Sequence, residues 1–381
     1  MGGETPAGGH IDLLFDARHI RQSGVGTYIA TLLPYLEETF AARRMSLTVL
    51  ADEHALPALR DSTTVVVERE AGPMYSLAEQ RVWNRALHTV RPKGLWVPHY
   101  PFPMAALRFG NRKTLVFATV HDTGHSMRQE VSGQSRVRQL YARTMLNLDA
   151  RRCRKIFTPS QATAALLLKM APTACVMVTP IPVNEAWFEP ADPEKSPVPG
   201  PYLLYVGNTK WHKNLPLLLQ AYADVSHDIP HKLVIAGSGE INRGGDERIV
   251  ALAAEQGDRV QVMGRLDFDV LRSLVASADL LVLPSLYEGA GLPPIEAMAS
   301  HTAVLASDIP ALRETCGDGA EYFDPYDHRA LAELLRTYLR DPGARDELAA
   351  RGWSHVRTRQ SDISFDSAAV AVATDLAARA P

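Results

Sequence analysis

The sequence predicts an α/β protein of two doubly wound, Rossmann-like domains with a cleft between them. Three observations carry that prediction. Short apolar runs of β character alternate with longer amphipathic stretches along the chain, the pattern of parallel sheets covered by helices. The alternation runs through twice, with a proline-dense passage between the two series. The length of 381 residues exceeds one ordinary core, since domains usually run about 100–200 residues.

In the first series, strands are expected at 11–16, 46–50, 63–68, 94–98, 115–120 and 155–158, with helices at 25–40, 77–90 and 137–151. Prolines 180, 182, 190, 193, 197, 199 and 201 block regular structure, so 183–201 reads as a linker. The second series places strands at 202–207, 232–236, 259–263, 280–283, 303–306 and 321–323, each followed by a helical stretch. The alanine-rich tail, 361–380, reads as one further helix. The expected division is therefore an N-terminal domain over 1–182, a C-terminal domain over 202–358 and a terminal helix within 359–381.

Composition narrows the class of protein. No run approaches the roughly 18–20 apolar residues of a membrane-spanning helix, and the opening MGGETPAGGHIDLLFDA has no basic-then-apolar secretory pattern. Cys153, Cys175 and Cys316 are far apart and lack C-x-x-C spacing, which argues against a disulfide framework and fits a cytoplasmic protein. Between Arg108 and Lys155 eleven basic residues face three acids, Asp122, Glu130 and Asp149. That stretch reads either as a solvated face or as a surface for an anionic partner, including a peripheral contact at the inner membrane face. No recognition motif accompanies it, so nucleic acid is not expected.

Ligands of doubly wound sheets bind beyond the carboxyl ends of the strands, so the residues after each strand carry the chemistry. After 280–283 comes a glycine-bearing loop and a helix near Pro294. The amides of Gly289, Ala290, Gly291 and Leu292 can face an anion there, while Glu288 and Glu296 offer carboxylates that accept vicinal hydroxyls. After 202–206, Asn208 stands in a polar loop where Lys210 and Lys213 are cations suited to a diphosphate. Gly24 and Gly26 in SGVGTY permit close backbone approach, although the segment lacks the third glycine of a dinucleotide fingerprint. His121 in VHDTGH can meet a substrate hydroxyl, with Asp122 orienting it; His121 and His125 do not form the H-E-x-x-H zinc pattern. Asp267-Phe-Asp269 reads as helix capping rather than a metal-binding D-x-D.

Taken in order, these four segments resemble the retaining glycosyltransferases of family 4, which have the GT-B fold. EGAGLPPIEAMAS is similar to that family's E-G-F-G-L-P-P-L-E-A-M-A signature, GNTKWHKNL to its G-x-x-x-x-R-K-N-L loop, VHDTGH to its strand-end H-D and SGVGTY to its S-G-I-G-R-Y loop. The resemblance implies that Glu296 binds the nucleotide ribose, and that Glu288 with the amides of 289–292 holds the donor hexose and diphosphate. It further implies that Lys213 neutralises the leaving diphosphate, that His121 lies near the reacting carbon, and that Gly24 and Gly26 close over phosphate and acceptor. It also implies that the terminal helix returns to the first domain. The pattern is nearest to mannosyl- and rhamnosyltransferases, and implies a nucleotide diphosphate sugar donor, a hydroxyl acceptor, no metal and no cofactor. The acceptor is a saccharide, a lipid-linked saccharide or a small metabolite. Ala290, His212 and Thr27 depart from the family's usual phenylalanine, arginine and arginine, and His301 and Ala303 from glycine and proline. Competing readings are a nucleotide-sugar 2-epimerase, a non-catalytic nucleotide-sugar-binding homologue and, more remotely, an NAD-dependent oxidoreductase.

Overall fold

The computed structural model describes residues 11–22, 24–69, 72–124, 135–237 and 247–378. His125, Arg128 and Glu130 lie outside the described residues. The chain divides into two compact units, one of Met1–Thr123, Leu140–Ile181 and Ser364–Pro381 and one of Gly124–Gln139 and Pro182–Ile363.

The first unit holds a seven-stranded parallel sheet of β1 (Leu13–Asp16), β2 (Leu47–Asp52), β3 (Thr64–Glu68), β4 (Gly94–Val97), β5 (Leu115–Thr119), β6 (Lys155–Thr158) and β7 (Val176–Val178). Their order is β3-β2-β1-β4-β5-β6-β7. Leu13, Leu14 and Phe15 of β1 and Leu95, Trp96 and Val97 of β4 are wholly buried, because helices cover both faces of such a sheet. At the edge, β3 leaves Val65 and Val67 exposed. β7 is absent from the sequence expectation: three half-buried residues after a loop carry too short a pattern to read.

Helix Pro342–Asp362 is followed, within the alanine-rich tail, by helix Asp366–Ala377. Extended Ile363 ends the first, and the Ser364 hydroxyl donates to Asp366 Oδ1 at 2.6 Å where the second begins. Phe365 is buried edge-on against Tyr28 and Tyr35, with centroids 5.8 and 5.7 Å away. Helix Asp366–Ala377 packs on helix Val25–Ala42. Asp375 is bound to Arg154 at 2.8 Å and Lys155 at 3.3 Å.

The second unit holds a six-stranded parallel sheet of β8 (Tyr202–Val206), β9 (Lys232–Ala236), β10 (Val260–Met263), β11 (Leu280–Leu283), β12 (Val304–Ser307) and β13 (Glu321–Phe323), ordered β10-β9-β8-β11-β12-β13. Val183, Trp187 and Val198, from the proline-dense passage, are buried in its core. Asp267 stands at the N-cap of helix Phe268–Ala276, yet its side chain accepts no bond from the first-turn amides. The expected side-chain cap is therefore not made.

Both sheets change direction once. Strand order reverses between β1 and β4 in the first and between β8 and β11 in the second. A reversal sends the loops of two neighbouring strands to opposite faces and opens a crevice at their carboxyl ends.

Candidate active site

The β8 and β11 loops meet at the second sheet's crevice. Lys213 ends the short helical turn Trp211–Lys213, and Asn214 behind it takes left-handed backbone, φ 53°. The Asn214 amide donates to Pro325 O at 2.8 Å, which anchors the loop. The Leu286 amide donates to His212 O at 2.8 Å, tying the β11 loop to the β8 loop. Across this tie the Lys213 ammonium donates to Glu288 Oε1 at 2.7 Å. Buried Ser285 donates to the same oxygen at 2.6 Å. The two residues the sequence placed on separate loops thus form one largely buried ion pair. Ser285 is a partner that sequence reasoning did not single out.

Beyond Glu288 the chain turns through Gly291 at φ 67° into helix Leu292–Ala299. A side chain is excluded there twice over, by the left-handed backbone and by Leu312 Cδ2, 2.4 Å from where a Cβ would sit. The next two helical residues, Pro293 and Pro294, have no N–H. The amides of Ala290, Gly291 and Leu292 donate to no described group. Unaccepted amides at a helix N-terminus make a site for an anion. One turn on, the half-buried Glu296 carboxyl has no hydrogen-bond partner among the described residues. Burial pushes its pKa up to about 7.

The remaining β8-loop residues are less enclosed. The Asn208 side chain accepts from the Lys210 amide at 3.2 Å and its carbonyl accepts from Tyr205 at 2.6 Å, so Asn208 shapes the loop. Lys210 is exposed.

His121, Gly24 and Gly26 belong to the first unit. Gly24, φ 52°, precedes helix Val25–Ala42. Gly26 lies where a Cβ would come 2.3 Å from Ile20 O, so its close approach is to the chain's own backbone. The His121 Nε2–H donates to Pro98 O at 2.8 Å, and the ring stands edge-on to Tyr28 at 4.8 Å. The bond that orients this ring therefore comes from the β4 end rather than from Asp122, and it leaves Nδ1 as the acceptor. Burial lowers the His121 pKa to about 4, against the opposing pull of the Pro98 carbonyl.

A second cluster, missed by motif reading, fills the first sheet's crevice. Arg18 grips buried Asp16 through two bonds of 2.8 and 2.6 Å, and Trp83 Nε1 donates to Asp16 at 2.7 Å. Burial would raise the Asp16 carboxyl, but the guanidinium outweighs it and holds the carboxyl far below the usual carboxylate range. His19 and His99 both reach Glu79 Oε1, at 3.3 and 2.7 Å. Among the described residues His19, Glu79 and His99 are the group whose donor types and spacing, within 4.8 Å, suit a metal ion. Asp16 closes β1, Arg18 and His19 follow it and His99 follows β4, but no local pattern in the sequence links them to Glu79.

Residues 22–186 match the family described as Glycosyltransferase Family 4, and residues 189–354 that described as Glycosyl transferases group 1. The chain belongs to this family of two-part glycosyltransferases and is itself a glycosyltransferase. Among curated relatives, O-antigen chain mannosyltransferase RfbU of Salmonella typhimurium is 29% identical, over 67% of this chain and 73% of the relative. O-antigen chain mannosyltransferase B of Escherichia coli is 32% identical over 41% of each chain. Serotype-specific mannosyltransferase WbdA of Escherichia coli is 30% identical over 46% of this chain but 22% of its own length. Among solved structures, sucrose-phosphate synthase of Thermosynechococcus elongatus superposes with a TM-score of 0.73 at 21% identity, covering 96% and 98% of the two chains. Anabaena HepE, solved in complex with UDP and glucose, gives 0.67 at 16% identity over 97% and 98%. The fold is that of the GT-B glycosyltransferases.

No helix among the described residues is long and apolar enough to cross a membrane.

Proposed function

We propose that this protein transfers a mannose- or rhamnose-like hexose from a nucleotide diphosphate sugar to a hydroxyl acceptor, with retention of anomeric configuration. The observation that carries the reading is the Lys213–Glu288 pair beside the unaccepted amides of 290–292. Breaking the bond between the anomeric carbon and the phosphate oxygen leaves the electron pair on the diphosphate. Preorganised amides and an ammonium lower that barrier most directly. The acceptor oxygen bonds to the anomeric carbon on the face the diphosphate leaves, and the departing phosphate oxygen takes the acceptor proton. Glu288 keeps Lys213 in place until the diphosphate arrives and Glu296 accepts the ribose hydroxyls; in the first unit His121 Nδ1 is an acceptor for a sugar hydroxyl. The mannosyltransferases among the relatives support the choice of hexose. No step here calls on a metal or a cofactor.

Calorimetry with GDP, UDP, dTDP and ADP tests the reading. One diphosphate binding tightly, with its mannose or rhamnose conjugate consumed in the presence of saccharide acceptors, supports it; binding of none sinks it.

We also propose a peripheral contact of helix Arg136–Arg152 with anionic lipid. Val137 and Leu140 are 78% and 67% exposed beside Arg136, Arg138 and Arg143. Co-sedimentation with phosphatidylglycerol vesicles but not phosphatidylcholine vesicles is the expected result.

A further inference from the structure

The crevice between β1 and β4 contains a valence that the fold does not use. His99, the second residue beyond β4, is 2% exposed. Its Nε2–H donates to Glu79 Oε1, which leaves Nδ1 as a lone-pair acceptor, and that atom is buried with no partner. His19 differs: its Nε2 faces Glu79 and its Nδ1 faces the Gln22 amide at 3.0 Å, so both of its nitrogens are satisfied. A buried polar atom without a partner costs about 1–3 kcal/mol, and within a network otherwise complete it marks a place for a ligand group.

Two further observations point the same way. Tyr75 holds left-handed backbone at φ 64°, a conformation that costs a bulky residue of order 1–3 kcal/mol. Glu79 Oε2 fixes it by accepting the Tyr75 amide at 2.8 Å. The Tyr75 ring is thereby set against Tyr100 at 5.1 Å and edge-on to His99 at 5.9 Å. The crevice is also where this sheet reverses, the position at which such sheets receive ligands. Burial alone would raise the Glu79 carboxyl; the bonds from His19 and His99 outweigh it and lower it. A ligand group that meets a lone pair beside that carboxylate must bring a proton and no negative charge. A neutral hydroxyl satisfies both demands.

We infer that His99 Nδ1 accepts a hydrogen bond from a hydroxyl of the sugar acceptor and so sets acceptor specificity, with Glu79 as the residue that positions it. The inference rests on the glycosyltransferase reading above and places the acceptor's recognition, not the chemistry, at this crevice.

The test uses the full chain and His99→Gln. Glutamine retains an N–H for Glu79 but offers nothing where Nδ1 stood, so the cluster persists without the acceptor. The probes are methyl glycosides of mannose, rhamnose, galactose and N-acetylglucosamine, followed by saturation-transfer NMR and, with the donor found by calorimetry, by initial rates. Expected are loss of NMR contact for the glycoside that binds the wild type and a KM at least about tenfold higher. kcat should stay within about threefold, and diphosphate affinity should not change. His99→Asn, which keeps an acceptor near the Nδ1 position, should recover most of the KM. Equal glycoside contact and KM in wild type and His99→Gln overturn the inference, as does no glycoside contact with either. Stoichiometric zinc that a chelator removes and that His99→Gln fails to hold also overturns it, because a metal would then occupy the valence. Wild type that binds a glycoside through His99 but turns over no donor leaves the inference standing and defeats the proposed function instead.

Discussion

The two crevices share a topology and differ in what fills them. Between β8 and β11 the groups are poised but uncommitted. Among the described residues Lys213 is held by one carboxylate, three amides lack acceptors, and the Glu296 carboxyl has no hydrogen-bond partner. Between β1 and β4 the charges are consumed within the fold: Asp16 takes Arg18 and Trp83, and Glu79 takes both histidines and the Tyr75 amide. One reversal point therefore presents a cation and amides suited to an anion, and the other a paired network in which one histidine nitrogen has no partner. A doubly wound sheet fixes where a ligand binds, while the residues after the strands decide its charge.

Four substitutions break or sharpen that contrast. Glu79→Leu should be the most damaging to stability, by about 3–5 kcal/mol, because it leaves His19, His99 and the Tyr75 amide without their shared buried acceptor. Denaturant unfolding of the variant measures this, and a loss below about 1 kcal/mol would show the cluster to be loosely coupled. Lys213→Ala acts on the other crevice: turnover should fall about 10²–10³-fold, a larger loss than the lower melting temperature from an unpaired Glu288 accounts for in a chain that still folds. Near-normal turnover would remove the lysine from the chemistry.

Third is Glu296→Gln. A carboxyl raised from 4.5 to about 7 adds stability below pH 4.5 that is lost as pH rises through 7. The glutamine variant avoids that loss, so at pH 8 it should be more stable than wild type by about 3 kcal/mol relative to pH 4.5. Saturating nucleotide should shrink the gap if the carboxylate meets a ribose. Fourth is His121→Asn. A histidine lowered from 6.5 to about 4 adds stability above pH 6.5 that is lost as pH falls toward 4. Wild type should lose about 2 kcal/mol more than the variant between pH 7.5 and pH 5. Parallel stability curves for the two proteins would contradict the buried, neutral ring.

Most of the fold was legible because its signals are local. Strands such as Lys155–Thr158, Lys232–Ala236 and Leu280–Leu283 are short apolar runs bounded by polar or helical residues, and helix Leu77–Val90 begins at a serine that caps it. Residues 210–214 and 284–296 were legible for the same reason, since glycine and proline punctuate strand-to-helix turns. The pairing of Lys213 with Glu288 was not legible, as 75 positions separate them; the family resemblance implied only that each meets the donor. The cluster around Glu79 was not legible. Glu79 reads as a capping-box residue three positions after Ser76, and nothing local shows that its carboxyl turns to His19 and His99, 60 and 20 residues away. Strand order brings them together, and strand order is not a local property.

Helix Asp366–Ala377 lies against helix Val25–Ala42, with Phe365 set between Tyr28 and Tyr35. The first unit is thus assembled from both extremes of the described chain, whereas the core of the second comes from one continuous run, Pro182–Ile363. During synthesis the second unit can close as soon as its own residues emerge. The first must wait with the aromatic side of its opening helix uncovered until residues 364–378 leave the ribosome.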